Sequence, residues 1–232
     1  MPSEHNPMLG WRALRFCLEN PKLFKSHLRA ILRASIKGNV KLLLPMVSSL
    51  EEIYKARAII DQVKGDLLSQ NIPFDENIEI GAMIEIPSAA IIADVLAEEL
   101  DFLSIGTNDL IQYTVAVDRT NLRVAHLYNR LPLAVLRLIK NVVDAGHRKG
   151  IWVGMCGEMA GDPLATLILL GLGLDELSVS PAMLLEVKKI IRSVTYAEAQ
   201  KIAEKALQLK TSQQIERYIR NVMSTRYKLD IN

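Results

Sequence analysis

Cysteine is nearly absent from this chain, which has two in 232 residues. Cys17 and Cys156 cannot build a disulfide scaffold or a CxxC metal site, and beside eight methionines they point to a reducing, cytoplasmic setting. Charge of one sign is missing as well. The 28 Lys and Arg stand against 26 Asp and Glu, and a net charge of +2 speaks against a dedicated nucleic-acid or anionic-membrane surface. No uninterrupted apolar run reaches the roughly 18 residues of a spanning helix, so no membrane insertion is expected. Residues 1–7 hold neither a basic region nor an apolar h-region, and no secretory signal is read there. Low-complexity linkers and shifts of composition are also lacking, so residues 1–232 are read as one domain. What is present is half apolar and 23% charged, the composition of a chain that buries a substantial core.

The punctuation along the chain is regular. Asn20-Pro21 reads as an N-cap with Pro at the first helical position. Leu23, Phe24, Leu28, Ile31 and Leu32 then recur at helical spacing, and Gly38 stops that helix. Five units of one kind follow. A short apolar run over 41–47 precedes the capping box Ser49-Leu-Glu-Glu52 and a helix to about residue 70. Runs over 78–85, 102–109, 152–158 and 176–180 lead to helices over about 88–99, 133–149, 164–170 and 183–192, the second of them after an irregular stretch. The runs are continuous rather than alternating, as in a parallel sheet covered on both faces. Beyond Arg192 the pattern is purely helical, with capping boxes at Thr195-Tyr-Ala-Glu198 and Thr211-Ser-Gln-Gln214. The reading is α/β, with five strand–helix units and a helical tail.

Polar residues gather at the C-terminal ends of these runs: Glu85, then Thr107, Asn108 and Asp109, then Cys156 and Glu158. Ligands of parallel α/β sheets and barrels bind at that edge. A carboxylate that ends an apolar strand also needs a partner, and one shared site accounts for three such strands. Neighbouring parallel strands lie about 4.8 Å apart, so Glu85 and Asp109 can reach one ion. Two hard oxygen ligands without a His or Cys cluster suit Mg²⁺ or Mn²⁺ better than Zn²⁺. An ion pair of Glu85 with an arginine, and a turn capped by Asp109, would account for the same two residues. Gly106-Thr-Asn-Asp109 reads as a short polar loop whose amides can hold phosphate or carboxylate oxygens. Arg119 is either a bidentate phosphate ligand or the partner of Asp118. Cys156, in Gly154-Met-Cys-Gly157, is either a small buried hydrophobe or an acid–base thiol that its glycines leave uncovered. Cys17 is read as core. His5, His27, His126 and His147 have no catalytic setting and are read as structural or surface residues.

Phe102-Leu-Ser-Ile-Gly-Thr-Asn-Asp-Leu-Ile-Gln-Tyr113, continuing through Ala116-Val-Asp-Arg119, closely resembles the PEP-utilising enzymes, and among them enzyme I of the bacterial phosphotransferase system. Asn6-Pro-Met-Leu-Gly-Trp-Arg-Ala-Leu-Arg15, Leu28-Arg-Ala-Ile-Leu-Arg-Ala-Ser35 and Gly154-Met-Cys-Gly-Glu-Met-Ala-Gly-Asp162 carry the same resemblance, which runs from about residue 6 to about residue 222. It implies a (β/α)₈ TIM barrel of the phosphoenolpyruvate/pyruvate-binding type. This chain would hold the last five β/α units and the C-terminal helices. Mg²⁺, or Mn²⁺ in its place, would be held by Glu85 and Asp109. Asn108 and Asp109 would contact phosphoenolpyruvate, Arg119 would grip its phosphate, and Arg12 would add positive charge to the pocket. Cys156 would be the catalytic acid that protonates the enolate carbon.

The implied reaction moves the phosphoryl group of phosphoenolpyruvate to an enzyme histidine, for relay to a phosphocarrier protein in sugar uptake. The implied protein is a cytoplasmic homodimer joined through this domain. The family's first three strands with two further arginines, its phosphoacceptor histidine and its carrier-docking domain have no counterpart in these residues, so the chain reads as N-terminally truncated. Tyr128-Asn-Arg-Leu-Pro-Leu133 and Ser178-Val-Ser-Pro181 depart from the family's loops. Two other readings are a catalytically silent dimerisation or regulatory fragment, and a barrel fragment of a pyruvate phosphate dikinase-like or phosphoenolpyruvate synthase-like enzyme.

Overall fold

Short apolar strands alternating with longer helices organise the computed structural model, which describes residues 6–227. His5 and residues 1–4, part of the segment searched for a secretory signal, lie outside the described residues. Helices α1 (Ala13–Glu19) and α2 (Pro21–Ala34) lead into β1 (Leu42–Leu44) and α3 (Leu50–Ser69). Strand β2 (Ile80–Ile84) is followed by α4 (Pro87–Ile91) and α5 (Ala93–Leu96), and β3 (Phe102–Gly106) by α6 (Thr107–Val115) and α7 (Leu133–Arg148). Strand β4 (Trp152–Cys156) precedes α8 (Pro163–Leu172), and β5 (Glu176–Leu177) precedes α9 (Pro181–Arg192), α10 (Tyr196–Gln208) and α11 (Ser212–Arg226).

The strands form one parallel five-stranded sheet in the order β1-β2-β3-β4-β5. Strands added in sequence by right-handed crossovers carry every connecting helix on the same face. That winding belongs to a (β/α)₈ barrel, whereas a doubly wound sheet reverses its order midway. The described strands are an open arc of five, with β1 and β5 at its edges. The expected α/β fold with five β/α units of barrel type is the one the chain adopts.

Register sorts the strand residues between two faces. Gly81, Phe102 and Trp152 share one rung, and Met83, Ser104, Gly154 and Glu176 share the next residues of the same face. The residues between them, Ala82, Ile84, Leu103, Ile105, Val153 and Met155, are all buried. They lie under α4 and α7, which touch β2, β3 and β4. At the N-terminal end of the sheet the Phe102 and Trp152 rings stack with centroids 4.5 Å apart. The Lys41 ammonium sits 5.9 and 5.5 Å from the two ring centroids and pairs with Glu79. This end of the inner face is filled by side chains, which leaves the C-terminal end for a ligand.

Behind β4 and β5, α8 is buried on nearly every side, and α9 and α10 pack against it. Helix α10 starts with the expected capping box: Thr195 Oγ1 accepts from the Glu198 N–H at 3.3 Å while Glu198 Oε2 accepts from the Thr195 N–H at 3.0 Å. The second expected box, at α11, is half formed: Thr211 Oγ1 accepts from the Gln214 N–H at 3.1 Å, but Gln214 Oε1 accepts from the Lys210 N–H at 3.0 Å instead of from Thr211. No described helix is long and apolar enough to cross a membrane.

Three further local expectations change. Asn20 does not cap α2 with its side chain; its Nδ2 donates back to the Phe16 carbonyl at 2.9 Å and closes α1. The single helix read over 88–99 is two short ones, because Asn141 on α7 reaches in and donates to the Ala90 carbonyl at 2.7 Å. The polar triplet Thr107, Asn108 and Asp109 is the first turn of α6 rather than a loop, since Leu110, Ile111 and Gln112 bury one side of a helix that begins at the end of β3.

Candidate functional site

Strands β2, β3 and β4 end level with one another. Ile84 pairs with Ile105 and Gly106 with Cys156, so Glu85, Gly106 and Cys156 form the rung at the C-terminal edge. A Cβ on Gly106 would stand 2.9 Å from Glu85 Oε2, so the glycine leaves room for that carboxylate. Glu85 is only 6% exposed, and its Oε1 accepts from the Met46 N–H at 2.7 Å. Burial pushes its carboxyl above the ordinary value; the Met46 N–H opposes this, the charge of Asp109 adds to it, and Arg12 opposes it again. The alternative in which Glu85 pairs with an arginine is not what the structure has. Arg12 Nη2 lies 2.7 Å from Asp109 Oδ2 instead.

Asn108 sits beside Asp109 at the start of α6. Its Oδ1 accepts from the Glu158 N–H at 2.9 Å, and its carbonyl accepts from the Tyr128 hydroxyl at 3.4 Å. Burial first, and the charge of Glu158 second, push the Tyr128 phenol up to about 12. Thr107 Oγ1 donates to the Cys156 carbonyl at 3.0 Å and ties the start of α6 to the end of β4.

Cys156 is half-buried, and burial pushes its thiol up while a hydrogen bond with Ser104 opposes the shift. Its two glycines stand in crowded places. Gly157 has φ +94°, and a Cβ there would stand 2.4 Å from Thr107 Oγ1; a Cβ on Gly154 would stand 3.1 Å from the Trp152 ring. Both allow close approach of neighbouring groups. Arg119 does not pair with Asp118, whose Oδ1 accepts from the Thr120 N–H and hydroxyl at 2.8 and 2.7 Å. Its Nη1 lies 3.0 Å from Glu158 Oε1, and its main-chain N–H donates to the buried Gln112 at 3.3 Å. Cys17 packs on the core as expected, and His147 pairs with Asp175 at 2.9 Å.

Arg12, Glu85, Asn108, Asp109, Arg119 and Cys156 all line one cavity of about 410 Å³, with Met8, Met83, Gly106 and Gly157. A larger, mainly apolar cavity of about 570 Å³ shares Met8 with it and holds none of the six. Sequence reasoning missed the Met46 N–H under Glu85, the methionines and the two contacts of Glu158. A backbone donor and a thioether leave no pattern to read, whereas Glu158 was visible as one more polar residue at a strand end. Among the described residues no three His, Cys, Asp or Glu are gathered into a metal cluster. What the cavity offers a cation is two carboxylates, Glu85 and Asp109, close enough to raise the cost of charging Glu85. That donor set fits Mg²⁺, which takes one or two carboxylates and keeps the rest of its shell for substrate oxygens and water.

Fold and cavity together define a barrel-type α/β protein with a charged pocket at the carboxyl edge of its sheet. The chain belongs to the PEP-utilising enzyme family: the family described as PEP-utilising enzyme, PEP-binding domain, matches residues 1–196. It is 50% identical over 224 residues to the phosphoenolpyruvate-protein phosphotransferase of Geobacillus stearothermophilus, an alignment covering 97% of this chain and 39% of that protein. It is 50% identical over 219 residues to the phosphoenolpyruvate-protein phosphotransferase of Haemophilus influenzae, covering 94% and 38%. The chain thus spans well under half the length of these relatives. A citrate lyase from Burkholderia xenovorans superimposes with a TM-score of 0.55 over 87% of this chain and 68% of that one. At 17% identity, it shares the fold alone.

Proposed function

We propose that this chain is the phosphoenolpyruvate- and Mg²⁺-binding part of a phosphoenolpyruvate-protein phosphotransferase. The observation that carries the reading is the meeting of two carboxylates, two arginines, an amide and a thiol in one cavity of about 410 Å³. Arg12 and Arg119 bind the substrate's phosphate. Each now holds a carboxylate, Asp109 and Glu158, which is the kind of oxygen a phosphate replaces in an arginine fork. Asn108 has its Oδ1 committed to the Glu158 N–H, so what it offers the substrate is its Nδ2 donor.

Glu85 and Asp109 hold Mg²⁺, which when bound neutralises charge on phosphate and on the developing enolate oxygen. Arg119 spreads the charge of the phosphoryl oxygens as they transfer to a histidine of another domain. Burial keeps the Cys156 thiol protonated, so its Sγ carries the proton that the enolate carbon takes to become pyruvate. In the whole protein the phosphoryl group passes on to a phosphocarrier protein for sugar uptake, in a cytoplasmic homodimer joined through this domain. Calorimetric titration of the chain with phosphoenolpyruvate tests the reading. Saturable heat that requires Mg²⁺ is expected, and no heat with the metal present would overturn it.

A further inference from the structure

Glu158 takes no part in the reaction just described, yet it contacts two residues that do. Its N–H fixes the Asn108 amide at 2.9 Å, and its carboxylate lies 3.0 Å from the Arg119 guanidinium. The main chain of Arg119 is anchored separately, by the side chain of Gln112, so the guanidinium is the end left free to change partners. The pair stands at the edge of water, with side-chain exposures of 36% for Arg119 and 74% for Glu158. An exposed pair of this kind shifts an equilibrium by a factor of only about two to five. It holds the arginine without locking it.

We propose that Glu158 is a positioning residue, the resting counter-ion of Arg119, which hands the guanidinium to the substrate's phosphate and takes it back once the phosphoryl group has left. The proposal rests on the phosphoenolpyruvate reading of the cavity. A ligand that engages Arg119 through phosphate must part the pair and so binds more weakly by the strength of that pair. A ligand without phosphate leaves the pair intact. Glu158 therefore stabilises the cavity holding pyruvate relative to the cavity holding phosphoenolpyruvate, and favours the direction in which phosphate leaves.

The test is Glu158→Gln, which removes the charge and keeps the backbone N–H on Asn108. In the ligand-free chain, the side-chain Nε–Hε resonance of Arg119 should show faster local motion in the variant, with the thermal midpoint unmoved. With Mg²⁺, phosphoenolpyruvate should bind about two- to fivefold more tightly to the variant, while pyruvate affinity stays constant. Glu158→Asp, which keeps the charge, should lie between wild type and Glu158→Gln in both readings. An Arg119 resonance indifferent to the substitution overturns the proposal, as does a gain equal for both ligands, which would report only the field of one carboxylate. If wild type binds no phosphoenolpyruvate, the reading of the cavity fails, and the ligand-free arginine spectrum still decides the role of Glu158.

Discussion

Gly157→Ala should damage this protein in two ways at once, and their sizes can be worked from the geometry. The residue has φ +94° and ψ −178°, a region essentially open to glycine alone. An alanine held there costs about 1–3 kcal/mol in backbone strain. Its Cβ would also stand 2.4 Å from Thr107 Oγ1 and 3.1 Å from Asn108 Oδ1. Thr107 must then give up its bond to the Cys156 carbonyl, worth about 1 kcal/mol. The expected loss is about 2–4 kcal/mol. Gly38→Ala is the control, because Gly38 has φ +70° with nothing within 4 Å of the added Cβ; it should cost only the left-handed strain of about 1–2 kcal/mol. Urea unfolding followed by the fluorescence of Trp11 and Trp152 measures both. The second expected damage is to the ligand. Thr107 ties the start of α6, which carries Asn108 and Asp109, to the end of β4, and a working site depends on such supporting contacts, so phosphoenolpyruvate affinity with Mg²⁺ should fall in Gly157→Ala and stay unchanged in Gly38→Ala. Equal destabilisation by the two substitutions, or full ligand binding by Gly157→Ala, would refute the reasoning.

Three further outcomes are expected. Glu85→Gln and Asp109→Asn should each abolish the proton relaxation enhancement of Mn²⁺ in the presence of phosphoenolpyruvate, and an enhancement surviving in both would remove these residues as metal ligands. In the protein completed by its phosphoacceptor domain, Cys156→Ala should slow pyruvate formation by about 10²-fold or more, with little change in phosphoenolpyruvate affinity. Loss of affinity alone would assign the thiol to binding. Tyr128 keeps its proton up to about pH 12, above the ordinary value near 10, so its contribution to stability is complete below pH ~10 and is lost as pH rises through 12. Tyr128→Phe should flatten that loss and delete a tyrosinate absorbance step near pH 12; an unchanged alkaline titration would show that the phenol is not held as described.

Much of this arrangement is readable from residue order, and the parts that are not share a cause. All five strands are legible because each is a short apolar run closed by Gly, Pro or a carboxylate; Glu85, Asn108, Asp109 and Cys156 are legible because they interrupt that apolarity at the same end of successive strands, whereas Arg12, before α1, is marked only by the family resemblance. The break between α4 and α5 is not legible, since it depends on Asn141 arriving from a distant helix to take the Ala90 carbonyl. Glu85 finds its partner in the N–H of Met46, a residue at φ +58° that no side-chain pattern marks. Arg119 has an acidic neighbour in sequence, but Asp118 spends its carboxylate closing its own turn on Thr120, and the arginine goes to Glu158 on another strand's end. Local propensity sees neighbours along the chain, and each of these outcomes was decided by a group that arrives from elsewhere.

The rung pattern of the sheet has a consequence for how this protein can change. Met83, Ser104 and Gly154 look toward the cavity side, while Leu103, Ile105, Val153 and Met155 seat the helices. Adjacent codons therefore answer to different demands. Exchanging Ser104 for alanine would remove the hydroxyl that opposes the upward push on the Cys156 thiol, yet leave the seat of α7 on Leu103 and Ile105 as it was. Ligand preference can drift along one set of alternating positions while thermal robustness is selected along the other, and the two histories need not interfere although they are written in the same five-residue strands.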